Sequence, residues 1–126
     1  MRTPKILIVD DEDLIRELVQ ACLEDLGGWE TLAAASGEEC LQLAQTKPFD
    51  AILLDMSMPR MDGFEVYKRL QSHPKTQAIP VILLTAKVLA SDHDRFDKMG
   101  VAGVISKPIE PTTLTEAIAE ILGWGE

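Results

Sequence analysis

A short, wholly apolar run that ends on an acidic residue constrains this chain more than any other feature. Residues 51–54 read Ala-Ile-Leu-Leu, and Asp55 follows directly. Because the run has no polar alternation, it is typical of a β-strand covered on both faces, as in parallel sheets flanked by helices. In open sheets of this kind ligands bind at the carboxyl ends of the strands, where side chains from several strands converge. Asp55 is therefore predicted to lie at a functional sheet edge.

Four further segments are predicted to be strands, and they alternate with helical patterns. The five predicted strands span residues 6–9, 29–34, 51–54, 81–84 and 102–105. The second is less apolar, so it is expected at an edge of the sheet. Five helices are predicted, of which the fourth, around residues 89–99, has the weakest apolar face. This alternation specifies an α/β fold with a parallel sheet wound on both sides by right-handed crossovers.

Capping residues predict where several helices begin. Ser36 and Glu39 form an S-x-x-E capping box that opens the second helix. Asp62 and Glu65 open the third helix in a similar way. Pro111 is predicted at the first position of the last helix. The apolar residues of that helix recur at the spacing of one buried face: Leu114, Ala117, Ile118, Ile121 and Leu122.

The composition limits the number of domains and the classes of partner. At 126 residues the chain is expected to form one domain, residues 1–126, without an output domain. A net charge of −9 disfavours direct binding to nucleic acid. The apolar run at residues 6–9 is too short for a signal peptide or a membrane span, so a cytoplasmic protein without membrane contact is expected. Cys22 and Cys40 lack metal-ligand spacing and are predicted to be buried, reduced thiols.

Polar side chains suited to phosphate chemistry follow four of the five predicted strands. These side chains are Asp10 and Asp11, then Asp55, Thr85 and Lys107. Because parallel strands end at the same edge of a sheet, the five side chains are expected to be neighbours. Three carboxylates in one hollow repel one another, which raises the pKa of at least one of them unless a cation is present.

A divalent cation is the predicted partner of these acids. Mg²⁺ prefers oxygen ligands, takes one or two protein carboxylates and keeps positions for waters and a phosphoryl oxygen. Asp11 and Asp55 are predicted to bind it directly, and Asp10 through water. The backbone carbonyl of Ser57 is expected to add a ligand, and Mn²⁺ is the alternative ion.

Thr85 and Lys107 complete a set of groups suited to phosphoryl transfer. Lys107 and the metal would balance the charge on the phosphoryl oxygens, while Thr85 would donate a hydrogen bond. Asp55 is predicted to be the nucleophile that forms an aspartyl phosphate. The sequence has no glycine-rich phosphate loop, which argues against nucleotide binding.

Four segments taken together resemble the receiver domains of two-component response regulators. These segments are Ile6-Leu-Ile-Val-Asp-Asp11, Asp55-x-x-Met-Pro-x-Met-Asp-Gly63, Pro80-Val-Ile-Leu-Leu-Thr-Ala86 and Lys107-Pro108. They occur in the order and at the spacing of that family, and the resemblance covers essentially the whole chain. It implies a flavodoxin-like, doubly wound sheet of five strands in the order 2-1-3-4-5, with five flanking helices.

The resemblance also implies a function. Asp55 is expected to accept a phosphoryl group from a histidine kinase or a histidine phosphotransfer protein, and to lose it later by hydrolysis. Asp10 and Asp11 correspond to the metal-binding acids of the family. The protein would then be a signalling switch rather than an enzyme. A downstream protein would read a changed surface formed by the fourth helix, the fifth strand and the fifth helix, and a homodimer is compatible with this interpretation.

The residues around the phosphoryl group are assigned by the same resemblance. Thr85, Ala86 and Lys107 correspond to phosphate-binding and switch positions. The peptide bond before Pro108 is expected to be cis. Many receiver domains have an aromatic residue three positions before the lysine, where this chain has Val104. We therefore expect a switch that does not use an aromatic rotamer.

Two other functions stay open. A Mg²⁺-dependent phosphohydrolase also uses an aspartyl intermediate, but such enzymes usually carry a second acid two residues after the nucleophile, where this chain has Ser57. A binding module that had lost phosphorylation would not need the set of Asp55, Thr85 and Lys107.

Ser57 and Lys87 lie two residues beyond site groups, flank the entrance and are expected to influence attack by water.

Overall fold

Five parallel strands form a central sheet in the computed structural model, which describes residues 3–56, 63–85, 96 and 98–124. The strands are β1 (Lys5–Val9), β2 (Glu30–Ala34), β3 (Ala51–Asp55), β4 (Val81–Thr85) and β5 (Gly103–Ser106). Their order is β2-β1-β3-β4-β5, and each adjacent pair is parallel. The predicted flavodoxin-like α/β fold and its strand order are therefore confirmed.

Helices pack on both faces of this sheet. They are α1 (Asp13–Asp25), α2 (Gly37–Thr46), α3 (Gly63–Gln71) and a C-terminal helix (Leu114–Leu122). Of the fourth predicted helix, Phe96, Lys98 and Met99 are helical, whereas residues 89–95 and 97 lie outside the described residues. Within the described ranges, no helix has the length and apolar character needed to cross a membrane.

The core consists of two apolar clusters, one on each face of the sheet. Successive side chains of a strand point to opposite faces, so a strand covered on both sides contributes to both clusters. The α2–α3 cluster combines strand residues with residues of those two helices, among them Leu7, Val9, Ile52, Leu54, Cys40, Val66 and Leu70. The α1 cluster combines the alternate strand residues with α1 and the C-terminal helix, among them Ile6, Ile8, Leu53, Val19, Leu23, Leu114 and Ile118.

The start of α2 follows the predicted capping box. The Oγ of Ser36 accepts a hydrogen bond from the backbone N–H of Glu39 at 3.1 Å. The Glu39 carboxylate reaches back and accepts from the backbone N–H of Ala35 at 2.7 Å. These bonds satisfy two donors at the helix entrance, which explains why the helix begins at Gly37. Asp62 lies outside the described residues, so the second capping pair stays a prediction.

The predicted start of the last helix is wrong. The C-terminal helix begins at Leu114, three residues after Pro111. The carbonyl of Glu110 accepts hydrogen bonds from the N–H groups of Thr113 at 3.2 Å and Leu114 at 3.1 Å, which close a turn ahead of the regular helix, with Pro111 at the second position of that turn. The fixed φ of proline suits this turn position as well as it suits the first turn of a helix, so the local sequence favoured both.

Two cysteines and two tryptophans pack within the fold. Cys22 and Cys40 are buried and form no disulfide, as predicted. Trp29 and Trp124 pack edge to face, with ring centroids 5.3 Å apart. This contact joins the end of the C-terminal helix to the turn that precedes β2.

Candidate functional site

The ends of four strands meet at one edge of the sheet. Asp55 and Thr85 are the last residues of β3 and β4, and Asp10 and Lys107 directly follow β1 and β5. The parallel register aligns these ends, since Asp55 lies beside Leu84 in the neighbouring strand. The fold therefore gathers the side chains that the sequence placed after separate apolar runs.

Three carboxylates form a cluster at this edge. One oxygen from each of Asp10, Asp11 and Asp55 lies within 4.8 Å of the others. Asp10 and Asp55 are buried, with 0% and 2% of their surface exposed, whereas Asp11 is exposed. The cluster is thus embedded in the sheet edge on one side and open to solvent through Asp11.

The side chain of Asp10 is only partly satisfied. Its Oδ1 accepts a hydrogen bond from the backbone N–H of Glu12 at 2.9 Å. Its Oδ2 is buried and has no hydrogen-bond partner in the part of the chain that the structure describes. A buried oxygen without a hydrogen bond is uncommon in native proteins, and an ion or a water is the usual remedy.

Lys107 faces two of these acids. Its backbone N–H donates to the carbonyl of Thr85 at 2.7 Å, and its peptide bond to Pro108 is cis. The Nζ of Lys107 lies 3.3 Å from Oδ2 of Asp10 and 3.4 Å from Oδ1 of Asp55. The contact with Asp10 is an ion pair without the directional geometry of a hydrogen bond.

The pKa values of these groups record the competition between burial and charge. Burial, reinforced by the charge of Asp55, raises the pKa of Asp10 even though the Glu12 N–H and Lys107 oppose the change. Burial alone would lower the pKa of Lys107. The carboxylates of Asp55 and Asp10 outweigh that effect, so the pKa of Lys107 is raised. Lys107 therefore stays protonated between the two acids at neutral pH.

The residues at this edge fit a hard divalent cation. They offer only oxygen ligands, and the three carboxylates lie close enough together to share one ion. The buried Oδ2 of Asp10 is an acceptor that an ion or its bound water can satisfy. Among the described residues, Lys107 is the cation that contacts these carboxylates, and its single charge does not balance three of them. Ser57, whose carbonyl is the fourth predicted ligand, lies outside the described residues.

The structure describes two of the remaining predicted residues, Thr85 and Val104. Thr85 is half-buried at the end of β4, and its backbone carbonyl accepts the hydrogen bond from the Lys107 N–H. Val104 lies beside Leu83 in the sheet, is half-buried and packs against the α2–α3 cluster. Ala86 and Lys87 lie outside the described residues, as Ser57 does, so their roles stay predictions.

Arg16 also lies at this edge and was not predicted there. Its Nη1 donates a hydrogen bond to the backbone carbonyl of Asp10 at 2.7 Å, and its Nη2 pairs with the carboxylate of Asp13. The sequence does indicate a pairing of Arg16 with a nearby acid, because Arg16 lies three residues after Asp13 and is the only lysine or arginine between residues 6 and 46. The contact to Asp10 could not be read from that spacing, since it depends on how the chain turns between β1 and α1.

Comparisons with known proteins agree with this geometry. The family described as the response regulator receiver domain matches residues 6–119. The polar-differentiation response regulator DivK of Brucella ovis is 36% identical over 121 residues, which cover 96% of this chain and 98% of DivK. The structure of the chemotaxis response regulator CheY4 of Vibrio cholerae is similar, with a TM-score of 0.88, 33% identity and coverage of 95% of this chain and 99% of CheY4.

A further similar structure contains a magnesium ion. It is the receiver domain of the sensor histidine kinase PA1611 from Pseudomonas aeruginosa PAO1, with a magnesium ion coordinated in its active-site cleft. Its TM-score against this chain is 0.83 at 25% identity, and the match covers 97% of this chain and 99% of that domain.

This chain belongs to the family of response regulator receiver domains. Receiver domains are signalling phosphoacceptors of two-component systems rather than classical enzymes. The resemblance seen in the sequence is therefore confirmed over nearly the whole chain.

Proposed function

We propose that Asp55 is the phosphoacceptor of a two-component switch, and that a Mg²⁺ or Mn²⁺ ion bound by Asp10, Asp11 and Asp55 assists the transfer. The observation that carries this proposal is the position of Asp55, which belongs to the three-carboxylate cluster and also lies 3.4 Å from the Nζ of Lys107. Phosphoryl transfer requires positive charge near the phosphoryl oxygens. Here a metal ion bound by the acid cluster and the Lys107 ammonium would both supply it next to Asp55.

The transfer is a displacement at phosphorus. The proposed donor is a phosphohistidine on a histidine kinase or on a histidine phosphotransfer protein. A carboxylate oxygen of Asp55 attacks the phosphorus, and the bond from phosphorus to the imidazole nitrogen breaks, so the imidazole keeps the electron pair. Lys107 faces the negative charge that spreads over the phosphoryl oxygens. A bound Mg²⁺ supplies further charge neutralisation there.

The phosphorylated state ends by hydrolysis. A water molecule attacks the phosphorus, the bond to the Asp55 oxygen breaks, and inorganic phosphate leaves while the carboxylate is restored. Ser57 and Lys87 follow Asp55 and Thr85 by two residues each. We propose that these two side chains influence how readily water reaches the phosphorus.

The exposed start of α1 is the proposed approach of the donor protein. Leu14 exposes 78% of its surface and lies three residues after Asp11, the exposed member of the acid cluster. Leu18 lies one turn further along the helix and is 36% exposed. An apolar stripe beside the opening of the site offers a contact to a donor that must bring its phosphohistidine to Asp55.

The signal is proposed to leave the site through β4 and β5. We propose that the hydroxyl of Thr85 moves toward the phosphoryl group. Because the N–H of Lys107 is bonded to the carbonyl of Thr85 at 2.7 Å, a shift of one strand end is expected to involve the other. Val104 cannot contribute an aromatic rotamer. The surface proposed to change for a partner is the one formed by the fourth predicted helix, β5 and the C-terminal helix.

Contacts with α3 bring a second surface into this response. Phe96 stacks on Phe64 with ring centroids 6.1 Å apart, and the hydroxyl of Tyr67 donates to the carbonyl of Met99 at 2.8 Å. Phe64 follows Gly63, whose Cα lies so close to Met56 that an added Cβ would be 2.6 Å from the Met56 sulfur. A change at Asp55 can thus reach Phe96 and Met99 through Met56 and the start of α3.

Labelling with a small phosphodonor tests the proposal. The protein is incubated with Mg²⁺ and acetyl phosphate and is then measured by intact-mass spectrometry. We expect one added phosphoryl group, which is absent in Asp55→Asn and in the presence of EDTA. Asp50→Asn is the matched control, because Asp50 precedes the opposite end of β3 and accepts a hydrogen bond from the Lys5 N–H at 2.7 Å, which an asparagine oxygen can still accept.

The same experiment separates the alternatives. Turnover of many phosphomonoesters per protein molecule would identify a phosphohydrolase. Absence of label with any small donor and with any histidine phosphotransfer protein would identify an inert binding module. Label that persists in Asp55→Asn would place the acceptor elsewhere and would contradict the proposal.

A further inference from the structure

Arg16 forms several polar contacts with the acidic turn that connects β1 to α1. Its Nη1 donates to the carbonyl of Asp10 at 2.7 Å, its Nη2 pairs with the carboxylate of Asp13, and its backbone N–H donates to the carbonyl of Glu12 at 3.1 Å. These three contacts lie on both sides of Asp11 in the sequence. Only 17% of the Arg16 side chain is exposed, whereas its partner Asp13 is 84% exposed.

The contacts of Arg16 differ from those of Lys107. Lys107 points its charge at the carboxylates of Asp10 and Asp55. Both polar contacts described for the guanidinium of Arg16 avoid the clustered carboxylates and use the backbone of the turn and Asp13 instead. A planar guanidinium with two fixed donor directions is suited to joining two parts of a turn, which an ammonium group cannot do in the same way.

We propose that Arg16 is a positioning residue that holds the β1–α1 turn in the conformation that presents Asp10 and Asp11 to a divalent cation. The proposal rests on the proposed metal-binding function of the acid cluster. Because Arg16 fixes the carbonyl of Asp10, it restricts the backbone from which the Asp10 and Asp11 carboxylates extend. Removal of a group that contacts and orients metal ligands, without binding the metal itself, commonly lowers metal affinity.

The sign of the effect distinguishes this role from a simple charge effect. Arg16 is a cation next to an acid cluster, so its positive charge alone opposes the binding of Mg²⁺. If charge were its only influence, Arg16→Gln would bind Mg²⁺ more tightly than the wild type. If Arg16 positions the turn, the same variant binds Mg²⁺ more weakly although a positive charge has been removed.

Calorimetric titration with Mg²⁺ provides the test. We expect the Kd of Arg16→Gln for Mg²⁺ to rise about tenfold, a typical size for loss of a group that orients metal ligands. Arg16→Lys keeps the charge and can make only one of the two side-chain contacts, so its Kd is expected to lie between those of the wild type and Arg16→Gln. Arg69→Gln is the control, because Arg69 forms an arginine–carboxylate pair with Glu65 on the exposed face of α3, and its Kd should equal that of the wild type.

Two further measurements keep the result interpretable. Urea unfolding without metal identifies any variant that is not folded. If Arg16→Gln does not fold, Arg16→Lys takes its place in the test. A raised Kd for Mg²⁺ in folded Arg16→Lys then supports the proposal. Phosphorylation of Asp55 by acetyl phosphate should return to the wild-type rate at saturating Mg²⁺. A wild-type or lower Kd in folded Arg16→Gln would overturn the proposal. Wild-type protein that binds no Mg²⁺ would instead contradict the proposed function.

Discussion

The Nζ of Lys107 lies 3.4 Å from Oδ1 of Asp55, although the two residues are more than fifty positions apart in the sequence. The contact exists because β3 and β5 end at the same edge of the sheet, with β4 between them. It has two consequences. The lysine partly offsets the charge of the acid cluster, and it connects the proposed phosphoacceptor to β5 and the C-terminal helix.

Replacing this lysine should separate phosphorylation from its structural effect. Lys107→Ala removes a cation from the acid cluster, so Mg²⁺ should still bind, with an affinity equal to or higher than that of the wild type. Asp55 should still be labelled at saturating acetyl phosphate. The amide NMR shifts that phosphorylation produces in β5 and in the C-terminal helix should be lost. Lys68→Ala, on the exposed face of α3, serves as the control, and unchanged shifts in phosphorylated Lys107→Ala would refute the role of the lysine.

The buried carboxyl of Asp10 predicts a pH dependence of stability in the absence of metal. Burial, together with Asp55, raises the pKa of Asp10, so the native state binds this proton more tightly than the unfolded state does. The free energy of unfolding should therefore fall as pH rises from the unfolded pKa through the native one. Asp10→Asn removes this ionisation and keeps an oxygen for the Glu12 N–H, so in EDTA at pH 7 it should be more stable than the wild type.

Urea unfolding across a pH series measures this effect. The stability of Asp10→Asn should depend less on pH than that of the wild type, and the difference between them should shrink in acid, where the wild-type carboxyl is protonated. Added Mg²⁺ should stabilise the wild type more than the variant, because the ion binds only the folded protein. A variant less stable than the wild type at pH 7 without metal would count against an unfavourable burial of this charge.

The apolar start of α1 predicts a difference between protein donors and small donors. Leu14→Ala removes side-chain area that is 78% exposed in the free protein. Loss of this contact should cost about 1 kcal/mol of binding free energy, or about a fivefold higher KM for a phosphorylated histidine phosphotransfer protein. Labelling by acetyl phosphate should not change. Leu26→Ala is the matched control, because Leu26 is 61% exposed at the other end of α1; equal effects of the two variants would contradict a specific docking site.

The hydroxyl of Tyr67 predicts a modest contribution to stability. It donates to the carbonyl of Met99 at 2.8 Å and joins α3 to residues 98–99. Tyr67→Phe keeps the buried ring and should lower the free energy of unfolding by about 1 kcal/mol, the net value of a typical hydrogen bond. Urea unfolding gives this value, and an unchanged midpoint with an unchanged slope would show that water replaces the hydroxyl at no cost.

Much of the fold and of the candidate site could be predicted from local sequence. Unbroken apolar runs identify strands covered on both faces, because polar groups there would lack partners. Parallel connection of such strands follows from the helices between them, and it requires that their carboxyl ends share an edge. Asp10, Asp55, Thr85 and Lys107 were therefore predicted as neighbours, and the structure places them together.

Two features of the structure were not predicted, the start of the last helix and the role of Arg16, and both depend on hydrogen bonds to backbone carbonyls. Pro111 has a φ angle that suits both a helix start and a turn. The Glu110 carbonyl accepts from the N–H groups of Thr113 and Leu114 and closes a turn there, before the regular helix begins at Leu114. Arg16 contacts the backbone carbonyl of Asp10. Every residue has such a carbonyl, so the sequence does not indicate which side chain will bond to which one.

The amino-acid order by itself determined the strands, their sequence of connection and the set of reactive groups at one sheet edge, since these depend on apolar burial and chain direction. Tertiary structure alone decided which of those groups are buried, that Oδ2 of Asp10 lacks a hydrogen bond within the described residues, and that Lys107 lies between two acids. Burial and pairing depend on distances across the sheet edge, and those distances are set only when the turns between elements have packed.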